Sequence, residues 1–221
     1  YYALILFSTI GMMLMASGAD LLNIYIGLEV MSISIYILTG FKRSKLISNE
    51  ASLKYFLLGA FATGFLLYGI SLVYGSTGAI HLKQIAGFIA SKGGMSDPVL
   101  LMGMGLIIIG LGFKVASVPS HAWVPDVYEG APTAITAFMS VGPKAAGFAA
   151  FMRIFMTAFG STHDEWQKII YVLAILTMTI GNVVAIAQTN IKRMLAYSSI
   201  AHAGYLLIAL VAANNMGISG T

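Results

Sequence analysis

Residues 110–132 read GLGFKVASVPSHAWVPDVYEGAP, a stretch that places Lys114 and Pro119 within one long apolar segment. Proline has no amide hydrogen, and the ring of Pro119 clashes with the carbonyl of Val115 four residues earlier, so a helix has to break about one turn beyond Lys114. One straight helix over residues 99–130 would measure about 48 Å, whereas the hydrocarbon core of a bilayer is about 30 Å thick. The stretch therefore predicts a discontinuous transmembrane helix with a lysine beside the break.

The composition indicates a membrane protein. Of 221 residues, 58% are hydrophobic and only 9% are charged, against roughly 25% charged residues in soluble domains. The chain has no cysteine, which excludes disulfide frameworks, iron–sulfur ligation and cysteine nucleophiles. No zinc-ligand spacing, phosphate loop or nucleophile elbow occurs, so we predict no metal site and no cofactor-binding site in this chain.

Seven apolar stretches are long enough to cross a bilayer, which takes about 20 helical residues. Backbone groups in lipid must bond within their own segment, and none of the stretches alternates like a barrel strand. The sequence predicts an all-α, polytopic transmembrane bundle. Its predicted spans are 1–18, 21–40, 51–75, 99–118, 133–159, 168–188 and 195–213.

The basic residues are scattered over several loops, which favours one positive membrane face over nucleic-acid binding. Residues 41–45 and 190–193 hold five lysines and arginines, and they fall on one side if the spans alternate. We predict that this side is cytoplasmic. In the loop over 76–98, residues 82, 85, 86 and 89 give a short helix one apolar face. That helix either lies on the membrane surface or packs against the protein.

Three ionisable residues are predicted deep in the bilayer. Glu29 lies about 12 Å into the second span, and Lys144 about 17 Å into the fifth. A charge at the bilayer centre costs about 2.5–3.5 kcal/mol on insertion scales, so a helix keeps one only if it is paired, hydrated or used. A buried amine near a carboxylate forms a switchable proton site, with Glu29, Lys114 and Lys144 as candidates for proton translocation. The alternatives are a structural Glu29–Lys114 salt bridge and a Lys144 amine bound to helix carbonyls.

Three further residues are possible relays. His121 lies in the broken region, His202 about 11 Å into the last span and Lys54 about 5 Å into the third. Histidine titrates near neutral pH and passes protons in either direction. The alternatives are packing or capping for His121, a satisfied core histidine for His202 and snorkelling to the surface for Lys54. Asp126 and Glu129 are expected to be solvated or to cap a helix.

Residues 110–132, together with 50–56 and 188–202, resemble the antiporter-like membrane subunits of respiratory complex I, and the subunit N branch most closely. The match runs along essentially the whole chain. It implies an inverted-repeat antiporter-like fold in a bacterial NADH–quinone oxidoreductase of the cell inner membrane. Residues 1–159 would form the first five-helix repeat and 160–221 the first two helices of its inverted partner. The start at Tyr1 without Met, and an end in 214–217 just after an apolar run, predict a fragment of a longer chain.

The resemblance also implies roles for individual residues. Glu29 would pair with Lys114, Lys144 would be a central relay site and Lys54 matches a lysine position of the family. The partners would be antiporter-like neighbours and small membrane subunits within the lipid bilayer. FMN, iron–sulfur clusters and quinone would be bound by those partner subunits.

The predicted function is proton translocation, driven by electron transfer from NADH to quinone in other subunits of the respiratory chain. One rival is a subunit of a related multi-subunit cation/proton antiporter. The other is a structural membrane scaffold whose charges only hold helices together.

Overall fold

The chain is described by a computed structural model over residues 1–92 and 97–213. The tail motif at 214–217, used above to predict a fragment, lies outside the described residues. Within them the fold is a bundle of α-helices with one short 3-10 turn at Gly160–Thr162, as the composition predicts. The helices are α1 Tyr2–Ser17, α2 Leu21–Thr39, α3 Leu46–Thr77, α4 Leu82–Ser91, α5 Pro98–Val115, α6 Trp123–Gly130, α7 Thr133–Thr157, α8 His163–Ile186 and α9 Ile191–Ala212.

Six helices of the described chain, α2, α3, α5, α7, α8 and α9, are long and apolar enough to cross a membrane. The protein is thus a multi-pass membrane protein. The first predicted span, 1–18, is the 16-residue helix α1, about 24 Å long. By length it is shorter than the other six, so the count of candidate spans is six rather than seven. The next helix begins at Leu21, as predicted, because Asp20 caps it, accepting a bond from the amide of Asn23.

Several helices extend beyond the predicted apolar spans into polar sequence. Helix α3 begins at Leu46 rather than 51, and α9 at Ile191 rather than 195. The side chain of Asn190 accepts bonds from the amides of Lys192 and Arg193, which fixes the start of α9 in a polar segment. Hydropathy alone marks where a helix enters lipid, not where it starts.

The break predicted from Pro119 is confirmed. Helix α5 ends at Val115, the residue whose carbonyl the proline ring excludes, and α6 starts at Trp123. Ala116 closes α5 in the left-handed region with φ of 64°. The amide of Val118 donates to Thr177 Oγ1 at 2.9 Å, so helix α8 holds the non-helical segment in place.

The short helix α4 is the predicted one, and it packs against the protein. Leu82, Ile85 and Ile89 on its apolar face are buried in the core. The helix contacts α7. Of the two alternatives left by the sequence, packing on the protein is therefore the one observed.

Candidate functional site

Lys114 is buried beside the helix break, with 4% of its surface exposed. Its Nζ donates to Ser32 Oγ at 2.9 Å and to Tyr36 Oη at 3.2 Å, both on α2. The same nitrogen lies 5.6 Å from the ring centroids of Tyr36 and Phe113. The amine is thus removed from lipid and contacts neutral hydroxyls and aromatic rings.

Glu29 lies on α2 one turn before Ser32 and is partly buried. Within the described residues its Oε1 is buried with no hydrogen-bond partner. No ion pair within 4.0 Å joins Glu29 to Lys114 in that part of the chain, although their charges interact electrostatically. The direct pair implied by the resemblance is therefore not formed, because the amine meets Ser32 and Tyr36 further along the helix.

Ser32 and Tyr36 were missed by the sequence analysis, which considered only charged residues. They follow Glu29 at i+3 and i+7, a spacing that places all three on one face of a helix. A polar stripe at helical spacing within an apolar span was the signal that would have found them.

The last backbone carbonyls of α5 accept hydrogen bonds from Trp123 and Ser117, close to Lys114. The indole Nε1 of Trp123 donates to the carbonyl of Phe113 at 3.2 Å. The amide of Ser117 donates to the carbonyl of Gly112 at 2.9 Å, and its hydroxyl to the same oxygen at 3.2 Å. A cation in the last turn of a helix is favoured by the helix dipole, so the break provides a fixed negative field beside the amine.

Lys144 is also buried, with 7% of its surface exposed, in the middle of α7. Its Nζ donates to the carbonyl of Ser199 at 2.8 Å and to Ser199 Oγ at 2.6 Å. The alternative that Lys144 binds a helix carbonyl is thus met in part, because the carbonyl belongs to α9 rather than to the lysine's own helix α7. Ser199 was not among the predicted site residues.

The helices that carry the two buried lysines touch at Gly147. This glycine lies one turn after Lys144, and a Cβ added to it would sit 3.1 Å from Val115 Cγ1 and 3.9 Å from Lys114 Cβ. Absence of a side chain at this position lets α5 and α7 approach closely. The helices α5 and α7, which carry the two lysines, are therefore in direct contact at this glycine.

A cavity of about 500 Å³ lies on the α9 side of Lys144, and Tyr128, Lys192, Ser199 and His202 are among its lining residues. His202 is exposed to this cavity and lies edge-on to Tyr205, at 5.4 Å between ring centroids. Among the described residues, His202 is therefore not a buried core histidine. The Oη of Tyr128 is buried and interacts with Ser199.

His121 lies in the segment between α5 and α6, as predicted, and is half-buried. Its Nδ1 is shielded and has no hydrogen-bond partner among residues 1–92 and 97–213. Packing or capping leaves this nitrogen unexplained, so His121 remains a candidate relay.

Lys54 belongs to an ion-pair network at the end of the bundle. Its Nζ lies 2.7 Å from Glu50 and 3.0 Å from Asp126. Arg193 Nη1 lies 2.7 Å from Asp126 and 2.9 Å from Glu129. The expectation of solvated or capping carboxylates is wrong, because residues distant in sequence join α3, α6 and α9. The network also binds the Lys54 amine to two carboxylates, whereas the alternative was a side chain that snorkels to the membrane surface.

The part of the chain that the structure describes contains no group of three or more His, Cys, Asp or Glu side chains placed to hold a metal ion. The polar groups of the site are instead amines, hydroxyls, one carboxylate and imidazoles. These groups hold and pass protons.

Residues 18–221 match the family model described as NADH:quinone oxidoreductase/Mrp antiporter, TM. The chain belongs to this family. Two curated relatives within it, both called NADH-quinone oxidoreductase subunit N, come from Trichlorobacter lovleyi and Desulforamulus reducens. The first is 57% identical over 99% of this chain, and the second is 52% identical over the whole chain. The chain spans about half of their length, 45% and 46%.

Solved structures of the NADH:quinone oxidoreductase/Mrp antiporter type share the fold. A chain of respiratory complex I from Thermus thermophilus is 41% identical with a TM-score of 0.81, and the match covers 96% of this chain and 45% of that one. A chain of the Mrp complex from Dietzia is 28% identical with a TM-score of 0.86, covering 96% and 39%. The resemblance noted in the sequence is thereby confirmed.

Proposed function

We propose that this chain is part of subunit N of a proton-pumping NADH–quinone oxidoreductase and that it translocates protons without taking part in redox chemistry. The curated relatives carry that name. Electron transfer from NADH to quinone, with FMN and iron–sulfur clusters, belongs in this proposal to partner subunits of complex I in the bacterial inner membrane. Their antiporter-like and small membrane subunits would be its neighbours.

The observation that carries the proposal is the environment of Lys114. A buried amine bonded to Ser32 and Tyr36 hydroxyls, with the unpartnered Glu29 oxygen one turn away, is a proton site without a fixed counter-charge. The proton affinity of such an amine rises when an ionised carboxylate approaches and falls when it moves away or is protonated. The hydroxyl of Ser32 donates its hydrogen to the carbonyl of Leu28. The hydroxyl left to pass a proton between Glu29 and Lys114, with water in the gap, is that of Tyr36, which both donates and accepts.

Lys144 is the next station in the proposed path. It lies on the helix that contacts Lys114 at Gly147, and its amine bonds Ser199 at the edge of the cavity containing His202. Movement of the proton from Lys114 to Lys144, and then through Ser199 to the cavity, needs only lysine, hydroxyl and imidazole groups with water in the gaps.

The chain is divided in this proposal into the two repeats that the resemblance implies. Residues 1–159 form the first five-helix unit around the broken helix, and 160–221 begin the second, inverted unit. Lys144 and Ser199 then join the two units. Residues 41–45 and 190–193 lie at one end of the bundle, where Lys42 and Lys45 repel Lys192, and we place this end in the cytoplasm.

The test replaces Lys114 by Ala and by Arg in the intact complex reconstituted into vesicles. Arginine keeps the positive charge but does not release its proton in proteins. We expect both Lys114→Ala and Lys114→Arg to lower proton uptake per electron while the complex assembles, and the exposed control Lys83→Ala to have no effect. Normal proton stoichiometry in Lys114→Arg would mean that only a charge is needed and would refute the proton-site role.

A second candidate function is transport in a cation/proton antiporter, which the TM-score of 0.86 with a chain of the Dietzia Mrp complex favours. Sodium-dependent proton flux without any quinone-linked activity would identify it. The scaffold alternative requires Lys114→Ala to pump normally. The same vesicle assay, with and without sodium, therefore separates all three functions.

A further inference from the structure

A groove of about 930 Å³ opens on the outer face of the bundle between α2 and α3, with Leu4 of α1 at its side. Its walls are apolar side chains that are about half exposed, including Ile33, Ile37, Leu53 and Phe56. Both helices are membrane spans, so these walls face hydrocarbon at bilayer depth. The groove is therefore suited to an apolar chain running along the helices.

The mouth of the same groove is polar and positive. Arg43 and Asn49 line it at the turn between α2 and α3. In the described residues, the side chains of Lys42, Arg43 and Lys45 form no ion pair, and all three are exposed. Since no carboxylate of the described chain neutralises them, they present uncompensated charge to whatever occupies the mouth.

Aromatic residues place this mouth at the level of the lipid headgroups. Phe41, which lines the groove, stacks edge-on with Tyr1 at 5.2 Å between ring centroids, and Tyr1 with Tyr2 at 5.3 Å. Tyrosine and tryptophan concentrate at the interface between lipid and water. The lining of the groove thus changes from cationic side chains at the interface to apolar side chains in the hydrocarbon region.

We infer that this groove binds one anionic phospholipid, with its phosphate at Arg43 and an acyl chain between Ile37, Leu53 and Phe56. A phospholipid is an amphiphile with this order of charge and apolarity, and the cytoplasmic leaflet supplies anionic ones. A bound chain also contacts Tyr36, which lines the groove and accepts a bond from Lys114. The inference concerns binding and does not rest on the proposed proton path.

The experiment measures labelling by photoactivatable lipids in the intact complex, delipidated and placed in phosphatidylcholine nanodiscs. A trace of phosphatidylglycerol probe or of phosphatidylcholine probe is added, and cross-linked peptides are mapped. One basic side chain near the membrane surface favours an anionic lipid about fivefold. We expect the phosphatidylglycerol probe to label residues 33–56 at least about fivefold more strongly than the phosphatidylcholine probe does. Arg43→Gln should remove most of this preference for the anionic probe.

Two further variants control this result. Lys83→Gln removes an exposed cation from α4 and should leave the labelling of 33–56 unchanged. Leu53→Trp fills the groove from an exposed wall position and should reduce labelling by both probes. Equal labelling by the two probes, or a preference that survives Arg43→Gln, would overturn the inference. Absence of lipid labelling would also overturn it, because a protein segment would then occupy the groove.

Discussion

Lys144 Nζ lies 2.6 Å from Ser199 Oγ, although 55 residues separate them in sequence. This bond joins the proline-containing helix α7 to α9, and it directs the lysine toward the cavity that contains His202. In the proposed path, Ser199 is the group through which Lys144 exchanges its proton. That path makes Ser199 a positioning and relay residue, which no charge pattern in the sequence marks.

Replacing Ser199 by Ala should impair proton transfer while the helices stay packed, because the Ser199 carbonyl still accepts from Lys144. A hydrogen bond to a charged group contributes about 1.5–3 kcal/mol, which corresponds to about a tenfold or greater loss of rate. Proton uptake by vesicles containing the whole complex provides the measurement. Ser17→Ala, which removes an exposed hydroxyl on α1 bonded to the carbonyl of Met13, is the control and should pump normally. Equal activity of the two variants would exclude the relay role.

A methyl group at Gly59 should disturb the Lys114 site from outside it. A Cβ there would overlap the Oη of Tyr36, whereas a Cβ at Gly64, on the same helix, meets nothing within 4 Å. We expect Gly59→Ala to displace the Tyr36 hydroxyl from Lys114 and to lower proton translocation several-fold. Gly64→Ala should behave like the wild type. If Gly59→Ala pumped normally, the Tyr36–Lys114 bond would have no part in transfer.

The Arg193–Asp126 pair should stabilise the docking of α6 on α9 by a modest amount. The two side chains are 31% and 36% exposed, and ion pairs of this exposure contribute about 0.2–1 kcal/mol. A double-mutant cycle with Arg193→Ala and Asp126→Ala should give a coupling free energy in that range. Amide exchange in α6 should accelerate in Arg193→Ala. A coupling of zero would show that the pair does not hold α6.

Ser76 should make the stability of the α3–α5 connection dependent on pH. Its hydroxyl donates to Asp97, the cap of α5. This bond, with that from the Val99 amide, holds the pKa of Asp97 below its ordinary value of 3.8. Because the folded pKa is the lower one, the bond stabilises the fold above the ordinary value, and the stabilisation is lost as the pH falls through the lowered pKa.

The thermal unfolding midpoint should therefore be lower in Ser76→Ala than in the wild type at neutral pH. The difference between the two unfolding midpoints should disappear in acid, once Asp97 is protonated in both proteins. Ser91→Ala removes an exposed hydroxyl bonded to the carbonyl of Phe88, so its effect should not vary with pH. A difference in midpoint that stayed the same at acid pH would contradict the assignment of Asp97 as the acceptor.

The sequence by itself determined the membrane helices, the break at Pro119 and the placement of Glu29, Lys114 and Lys144 within apolar helices. These features depend on local properties, namely the length of apolar runs, the missing amide of proline and the rise of a helix. Each is read from residues adjacent in the chain. The same locality explains why α4 was predicted from its spacing.

Only the tertiary structure decided which groups meet these residues. Lys114 bonds Ser32 and Tyr36 rather than Glu29, and Arg193 pairs with Asp126 and Glu129. Such contacts depend on how far each helix is rotated and shifted against its neighbours. Small residues at close approaches set that rotation through van der Waals packing in lipid. A single sequence specifies which face of a helix is polar, but the partner of that face is fixed only when the helices pack.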